Sequence, residues 1–360
     1  MPFTISVPDA LRQSVEAATG GRNTVLYDDK GYPSVMHVIP KFQVQDIDAS
    51  LGTGVHPAFV VGGIEKSEIF VGRYLASIHD SRAVSLPGYD PAASINFEAA
   101  AARCSAKGPG WHLMTNAEWA AIALWCWKNG FLPRGNTLWG KSHVNGWESA
   151  ARPDGGLPGV SSGAGRTRTG QGPVGWSHDN SASGIADLCG NVWEWSAGLR
   201  LVDGEIQILA NNDAAAAGAD LSATSTAWRA ILQDGSLVAP GTADTLKFNA
   251  TGAGGTGSPQ LATAVTSQSD GSASASQTFS ALTATSGVTV PAILKALALM
   301  PVATTGMDGS RLYMRNIGER LPFRGGSWNT GSNAGVFALI AANPRSNANT
   351  YIGFRPAFVI

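Results

Sequence analysis

The stretch GIADLCGNVWEW, residues 184–195, places a glutamate between two tryptophans. On a β-strand Trp193 and Trp195 would point to one side and Glu194 to the other, because successive side chains alternate. A carboxylate in such apolar surroundings needs a partner if it is buried. We therefore expect a short strand here, with a glutamate that is held by a cation or by hydrogen-bond donors.

Two further motifs lie before and after this stretch. They are GWHLMTNAEW at 110–119 and RGGSW at 324–328. The three motifs, in this order, resemble the formylglycine-generating-enzyme branch of the C-type lectin fold. The resemblance covers most of the chain outside the N-terminus and a long insertion. It implies an α+β protein in which two helices pack on twisted, mostly antiparallel sheets, with much irregular loop and an insertion.

The resemblance also implies a cation site. In the enzyme branch a Ca²⁺ ion is held by a side-chain oxygen, two backbone carbonyls and a glutamate, and the matching positions here are Asp187, Gly190, Val192 and Glu194. Oxygen ligands of this kind suit Ca²⁺. The alternative is that Asp187 and Glu194 are hydrogen-bonded to backbone N–H groups or to an arginine. No cofactor is required beyond this one candidate structural ion.

Local patterns predict both helices. Residues 96–106 are alanine-rich and stop at a Lys-Gly pair, and Thr115 with Glu118 forms a capping box that opens a second helix. That helix should end at Lys128, before Asn-Gly. Four of its residues share one face at helical spacing, which favours core packing over a binding role. They are Trp119, Ile122, Ala123 and Cys126.

The chain divides into four segments by composition. We assign an N-terminal region (1–55), a first part of the lectin-like domain (56–202), an insertion rich in Gly, Ala, Ser and Thr (203–308) and a second part of the domain (309–360). The insertion is either a flexible spacer or a small β-rich element, since Thr and Val alternate around 281–290.

The last forty residues contain no Asp, Glu, Lys or His. They resemble the variable region of target proteins of diversity-generating retroelements, a family that includes the phage major tropism determinant. In that family an error-prone reverse transcriptase rewrites adenines, typically in AAC codons. Nine residues between fixed blocks have identities that adenine changes in AAC can produce. They are Ser327, Asn329, Thr330, Ile340, Ala342, Asn343, Asn349, Thr350 and Tyr351.

We predict that these nine residues form one solvent-facing surface that binds a ligand. The alternative is that the segment is simply the last strands of a β-rich domain, with Asn and Ser in solvated turns. Period-two apolar residues such as Phe337, Leu339, Ile352 and Phe354 fit strands under either interpretation.

Charge and cysteine content exclude several classes of protein. The net charge is −1 with 14% charged residues, so no basic patch indicates a nucleic-acid partner. The first thirty residues lack a secretory signal, and no apolar run predicts membrane insertion. The three cysteines, Cys104, Cys126 and Cys189, have no C-x-x-C spacing and should be buried free thiols. We expect synthesis in a host cytoplasm and localisation in a virion, in a phage tail.

The resemblance implies an activity that this chain should lack. The enzyme branch oxidises a substrate cysteine with a pair of C-terminal cysteines that bind copper, and no cysteine follows Gly190 here. We therefore expect a non-enzyme: a hypervariable receptor-binding adhesin, associated with a phage tail. The alternatives are a formylglycine-generating-type oxidase, disfavoured by the missing pair, and a purely structural virion protein. The expected partners are a cell-surface protein or glycan, other virion or tail proteins, and further copies of the chain in a homo-oligomer.

Overall fold

The computed structural model describes residues 9–360, so the first eight of the thirty residues examined for a secretory signal lie outside it. None of the helices in the described part has the length and apolar character needed to cross a membrane. The α-helices are α1 (Ala10–Thr19), α2 (Val44–Ile47), α3 (Phe97–Ser105), α4 (Asn116–Lys128) and α5 (Ala292–Ala296).

Within residues 9–360 the sheets are made of twenty-two short strands. In chain order they are β1 (Asn23–Tyr27), β2 (Pro33–Pro40), β3 (Val60–Val61), β4 (Ile64–Glu65), β5 (Glu68–Gly72), β6 (Ala76–His79), β7 (Arg82–Ser85), β8 (Trp111–Leu113), β9 (Trp193–Trp195), β10 (Leu199–Val202), β11 (Glu205–Ile208), β12 (Arg229–Ile231), β13 (Leu237–Val238), β14 (Lys247–Gly252), β15 (Thr256–Ala262), β16 (Ala275–Thr278), β17 (Thr283–Ala284), β18 (Arg311–Met314), β19 (Glu319–Gly325), β20 (Gly335–Asn343), β21 (Ile352–Gly353) and β22 (Pro356–Phe358).

The two predicted helices are α3 and α4. Asn96 caps α3 by accepting from the Ala99 backbone N–H at 2.9 Å. Thr115 and Glu118 form the predicted capping box at the start of α4. The four residues expected in the core are buried, which confirms that prediction. Because Asn116–Leu124 is buried throughout, α4 lies inside the protein and is covered on all its faces.

A five-stranded sheet joins the two ends of the chain. Its strand order is β1-β2-β5-β22-β8, and each neighbouring pair is antiparallel. Strands β1 and β2 come from the N-terminal region, whereas β22 begins three residues after Gly353, near the C-terminus. The last residues of the chain are therefore held between strands from the first third.

The largest sheet has thirteen strands, and β3–β4 and β6–β7 form two separate two-stranded sheets. The main path of the largest sheet runs β16-β18-β20-β19-β10-β11-β14-β15-β17, and β9 attaches to β19 and β21. Most pairs are antiparallel, as predicted, and the parallel pairs are β18–β20, β15–β17 and β9–β21. The Trp-Glu-Trp stretch is the short strand β9, confirmed at the expected position.

The insertion is ordered and completes the main core, so the flexible-spacer interpretation is wrong. Its strands β14 and β15 extend the large sheet, which curls until Gln277 of β16 donates to Ser258 of β15 at 3.3 Å. Inward-facing Phe248, Leu261 and Phe279 join the same hydrophobic cluster as α4. In residues 281–290, where Thr and Val alternate, the structure has only the two-residue strand β17. The longer strands of the insertion lie earlier in the chain.

A long irregular segment separates α4 from β9. Residues 129–192 contain one 3₁₀ turn, Val174–Trp176, and no helix or named strand. Polar side chains stabilise this backbone from within. Buried Asn136, for example, donates to the Gly165 carbonyl at 2.8 Å and accepts from the Gly140 N–H at 2.6 Å. Side-chain hydrogen bonds of this kind satisfy backbone groups of the segment that no strand pairing satisfies.

Candidate ligand-binding surface

The fixed blocks of the last forty residues are interior structure. Arg324 of β19 is fully buried, and its guanidinium donates to Asn116 Oδ1 at the start of α4 at 3.0 and 2.6 Å. Burial lowers the pKa of Arg324 to about 9. Gly325 and Gly326 follow with φ of 91° and 101°, values that favour glycine. A Cβ on Gly326 would also lie 2.5 Å from that of Ala334.

Trp328 links this block to the central motif. Its backbone N–H donates to the Asn191 carbonyl at 3.0 Å, and its own carbonyl accepts from the Trp139 N–H at 2.7 Å. The ring packs with Leu75 and Val192 and is only 4% exposed. Trp328 is therefore scaffold, as its place in a fixed block predicts.

The nine candidate positions divide by exposure into three groups. Asn329 and Thr350 are exposed, and Ser327 and Ala342 are buried, at 1% and 7%. The five half-buried residues are Thr330, Ile340, Asn343, Asn349 and Tyr351. The expectation that all nine face solvent is wrong for Ser327 and Ala342.

The two exceptions have local causes. The Ser327 hydroxyl donates to Asn329 Oδ1 at 2.9 Å and lies 3.0 Å from the Thr330 hydroxyl, so it organises the turn from inside. Ala342 belongs to β20, which lies between β18 and β19 in the large sheet. A side chain on a strand with neighbours on both edges is covered when the facing layer is packed.

Two of the candidate segments meet at one place. The Tyr351 ring packs edge-on against Trp328, with centroids 6.2 Å apart. Arg166 donates to the Thr350 carbonyl at 3.0 Å and pairs with both oxygens of Asp90 at 2.8 Å. Segments 327–330 and 349–351 are thus neighbours. On β20, Ile340 packs against the same hydrophobic cluster as Tyr351.

Sequence reasoning missed the loop residues beside this surface. Arg166 and Asp90 are 76 positions apart, so no local pattern pairs them. Elsewhere on the same long loop, Trp147 is 81% exposed and Leu157 is also exposed. No pattern in the sequence marked the Arg166 contact itself.

The carboxylates of the candidate Ca²⁺ site have protein partners. Glu194 accepts two hydrogen bonds from Arg355, at 2.9 and 2.8 Å, and both side chains are buried. Asp187 accepts from the Gly170 N–H at 2.9 Å. Burial raises the pKa of Glu194 and of Asp187, and the nearby Arg355 charge opposes both shifts.

These contacts match the hydrogen-bonded alternative to the Ca²⁺ site. A guanidinium occupies the face of Glu194 that a cation would need, and a metal would have to displace it. Within residues 9–360 no group of three or more His, Cys, Asp or Glu side chains could hold a metal ion. Because Arg355 engages both carboxylate oxygens of Glu194, the set Asp187, Gly190, Val192 and Glu194 does not fit Ca²⁺ as arranged.

The cysteines are inert. Cys104, Cys126 and Cys189 are free and buried, as predicted. Burial raises the pKa of each thiol above its ordinary value. Because the thiolate is the reactive form, none of the three is prepared for nucleophilic or redox chemistry.

The chain is similar to known proteins in two comparisons. Residues 73–207 match the family model described as the sulfatase-modifying factor enzyme 1-like domain. A solved structure, variable protein 1 of Treponema denticola, aligns at 12% identity over 93% of this chain and 98% of that one, with a TM-score of 0.34. No curated protein matches. The chain has a C-type lectin fold of the formylglycine-generating-enzyme type, as its sequence motifs predict.

Proposed function

We propose that this chain is a non-catalytic ligand-binding protein that displays diversified residues on a constant scaffold. One observation supports the proposal most strongly, the contrast in burial within the last forty residues. The fixed blocks around Arg324, Trp328 and Arg355 are buried. Seven of the nine positions that adenine changes could alter reach solvent.

The chemistry of the exposed positions suits recognition. Asn and Thr side chains offer adaptable hydrogen bonds, and Tyr351 offers a rigid aromatic contact at low entropic cost. Arg166 is not one of the nine candidate positions. Its hydrogen bond to the Thr350 carbonyl holds segment 349–351 in place. Exchange of side chains there would leave the backbone contact in place, because a main-chain carbonyl is present whatever the residue.

The proposal includes the absence of oxidase activity. The formylglycine-generating chemistry needs a C-terminal thiol pair, and no cysteine follows Cys189. Incubation with copper and a sulfatase-type cysteine peptide, read by mass spectrometry, tests this directly. We expect unmodified peptide, whereas formylglycine in the product would overturn the non-catalytic assignment.

The finer part of the proposal concerns setting and partners. We propose a receptor-binding adhesin on a phage tail whose ligand is a protein or glycan of the host cell surface. Such contacts gain strength when several copies bind at once, because linked sites add avidity without new contacts. Assembly with other tail proteins and into a homo-oligomer fits this role.

The neighbouring DNA tests diversification. We expect a near-copy of the coding bases for the last forty residues, differing only at adenines, beside a reverse-transcriptase gene. Mismatches at other bases, or the lack of any such copy in the complete source genome, would remove the retroelement from the proposal.

A display library tests the surface itself. One library randomises Asn329, Thr330, Asn349, Thr350 and Tyr351. The control library randomises an equal number of buried fixed positions that include Trp328 and Phe354. We expect folded members and selectable binders to host surface proteins in the first library, and mostly misfolded members in the second. Equal folding in both would contradict the division into scaffold and variable positions.

A further inference from the structure

One cavity of the protein is lined by none of the last forty residues. It has a volume of about 490 Å³ and opens between β2, α4 and the loop after the Val174–Trp176 turn. This volume is within the range of small-molecule sites, roughly 300–1,000 Å³. Its walls include Phe42, Ile122 and Trp125, and its polar groups include His37 and His178.

The two histidines are buried, and hydrogen bonds fix the position of their protons. Asn23 donates its amide N–H to the Ser183 carbonyl at 2.8 Å, which turns its oxygen towards His37 Nδ1 at 2.7 Å. His37 Nδ1 must therefore carry the proton, and Nε2 is left as an acceptor. His178 Nδ1 accepts from the Ile185 backbone N–H at 2.9 Å, so its proton is on Nε2 as a donor.

Neither Nε2 atom has a hydrogen-bond partner in residues 9–360. Both rings line the cavity, with centroids 4.8 Å apart. Burial lowers the pKa of His37 to about 4 and that of His178 to about 3, so both are neutral near pH 7. The cavity thus presents one fixed acceptor beside one fixed donor.

This arrangement is unsuited to a metal. Coordination needs a lone pair on each ligating nitrogen, and the Nε2 of His178 carries its proton because Nδ1 is engaged by a backbone N–H. It is also unsuited to an ion. The charged side chains at the rim are already paired, Arg22 with Asp179 at 3.5 Å and Lys41 with Glu65 at 2.9 Å. The free groups call for a neutral ligand that both donates and accepts.

The geometry favours hydroxyl groups over an amide. A planar amide or base edge presents its donor and acceptor in one plane, whereas the two imidazole planes cross at 78°. Hydroxyl groups on tetrahedral carbon can turn to meet both. The half-buried Trp125 ring, 5.2 Å from His178, adds an apolar face beside them. We propose that this cavity binds a neutral sugar ring, with a hydroxyl donating to His37 and another accepting from His178.

This site is independent of the proposed variable surface. None of the nine candidate positions lines the cavity. Sugar binding here would be a constant property of the chain, whatever residues the last forty positions display.

Saturation-transfer NMR with glucose, galactose and mannose at millimolar concentration tests the proposal on the full chain. We expect signal from at least one hexose, and weakening by about tenfold or more in Trp125→Leu and in His37→Phe. Ser272→Ala, at an exposed position of the insertion that does not line the cavity, is the control and should bind as the unaltered chain does. If His37→Phe fails to fold, Trp125→Leu decides.

Acetamide and adenine are the competing probes. Binding of either one without binding of a hexose would overturn the sugar assignment. So would the absence of signal from all three hexoses, or equal hexose binding by the unaltered chain and Trp125→Leu.

Discussion

The Arg355 guanidinium and the Glu194 carboxylate are joined by two parallel hydrogen bonds of 2.9 and 2.8 Å in the protein interior. Arg355 also donates to the carbonyls of Gly72 and Ala186, at 2.8 and 2.9 Å. One side chain therefore ties β9, the end of β5 and the central motif together. The Glu194 partner expected from the sequence is this arginine.

Removal of one member of this pair should be strongly destabilising. Glu194→Gln leaves the Arg355 charge buried without compensation, which costs roughly 3–5 kcal/mol. The double variant Glu194→Leu/Arg355→Met removes both charges and should lose less than the sum of the single variants Glu194→Leu and Arg355→Met. Urea denaturation of these three variants, Glu194→Gln and the unaltered chain measures this. A loss below about 1 kcal/mol for Glu194→Gln would show that the pair contributes little.

Calcium should leave the stability unchanged. A ligand that binds only the folded state raises its stability by mass action. Because Arg355 already occupies the Glu194 carboxylate, we expect equal melting temperatures in CaCl₂ and in EDTA. A clear rise with Ca²⁺, absent with Mg²⁺, would restore the metal site at Asp187 and Glu194.

The insertion should be essential to stability. Phe279 stacks on Phe337 of β20, with centroids 5.2 Å apart and both rings buried. Phe279→Ala should cost roughly 3–5 kcal/mol, as for other buried aromatic residues. Ser272→Ala, on an exposed part of the same insertion, is the control and should change the free energy of unfolding by less than about 0.5 kcal/mol. Similar melting temperatures for Phe279→Ala and Ser272→Ala would indicate that the insertion is a spacer that does not stabilise the core.

The features predicted correctly from the sequence depend on residues that are close together in the chain. The α4 capping box needs only Thr115 and Glu118, three positions apart, and it was located correctly. The Glu194 partner lies 161 positions away, so the sequence left two equal alternatives, a cation or hydrogen-bond donors from the backbone or an arginine. The order of the insertion depends on Phe279 meeting Phe337, a contact that composition cannot show because its flanking residues resemble those of a linker.

The candidate surface was predicted in the same uneven way. Most of the nine positions whose residues could arise from AAC codons by adenine changes reach solvent. Ser327 is an exception because its hydroxyl is used within its own turn, and such a contact depends on the backbone conformation. Arg166 was missed because its role, a bond to the Thr350 carbonyl, arises only when a distant loop folds beside the C-terminal segment.

Acid should destabilise the protein through buried neutral histidines. His56 is fully buried, with Nε2 donating to the Ala296 carbonyl at 2.9 Å and Nδ1 accepting from the Ala58 N–H at 3.2 Å. Burial lowers its pKa to about 4, against 6.5 unfolded. Since the unfolded state binds the proton more readily, the stability is complete above about pH 6.5 and is lost as the pH falls towards 4.

The expected slope is about 1.4 kcal/mol per pH unit for each such histidine. His112 acts in the opposite sense. Burial lowers its pKa, but the Glu118 carboxylate outweighs burial and leaves the pKa raised, so its contribution is lost as the pH rises. His56→Phe should have a shallower decline in unfolding free energy below pH 6.5 than the unaltered chain. Identical slopes in urea denaturation across this range would refute the assignment.

Three substitutions at the candidate surface should separate scaffold from recognition. Trp328→Ala removes a buried ring and should cost roughly 3–5 kcal/mol of stability. Tyr351 is half-buried against that ring, so Tyr351→Ala should cost only about 1 kcal/mol, and Thr350→Ala, on an exposed side chain, still less. In binding the order should differ. Interface energy concentrates in a few residues, with aromatic residues prominent among them, so Tyr351→Ala should weaken binding more than Thr350→Ala.

The measurement pairs thermal melting with binding to a host surface protein obtained from the display screen. Trp328→Ala is compared only at temperatures where it remains folded, so that its effect on binding is not confused with unfolding. The key comparison is between Tyr351→Ala and Trp328→Ala, whose rings touch each other. If both lose the same stability, Tyr351 is as much a part of the scaffold as Trp328. The boundary between constant and diversified positions would then fail where the two meet, and the proposed function would fail with it.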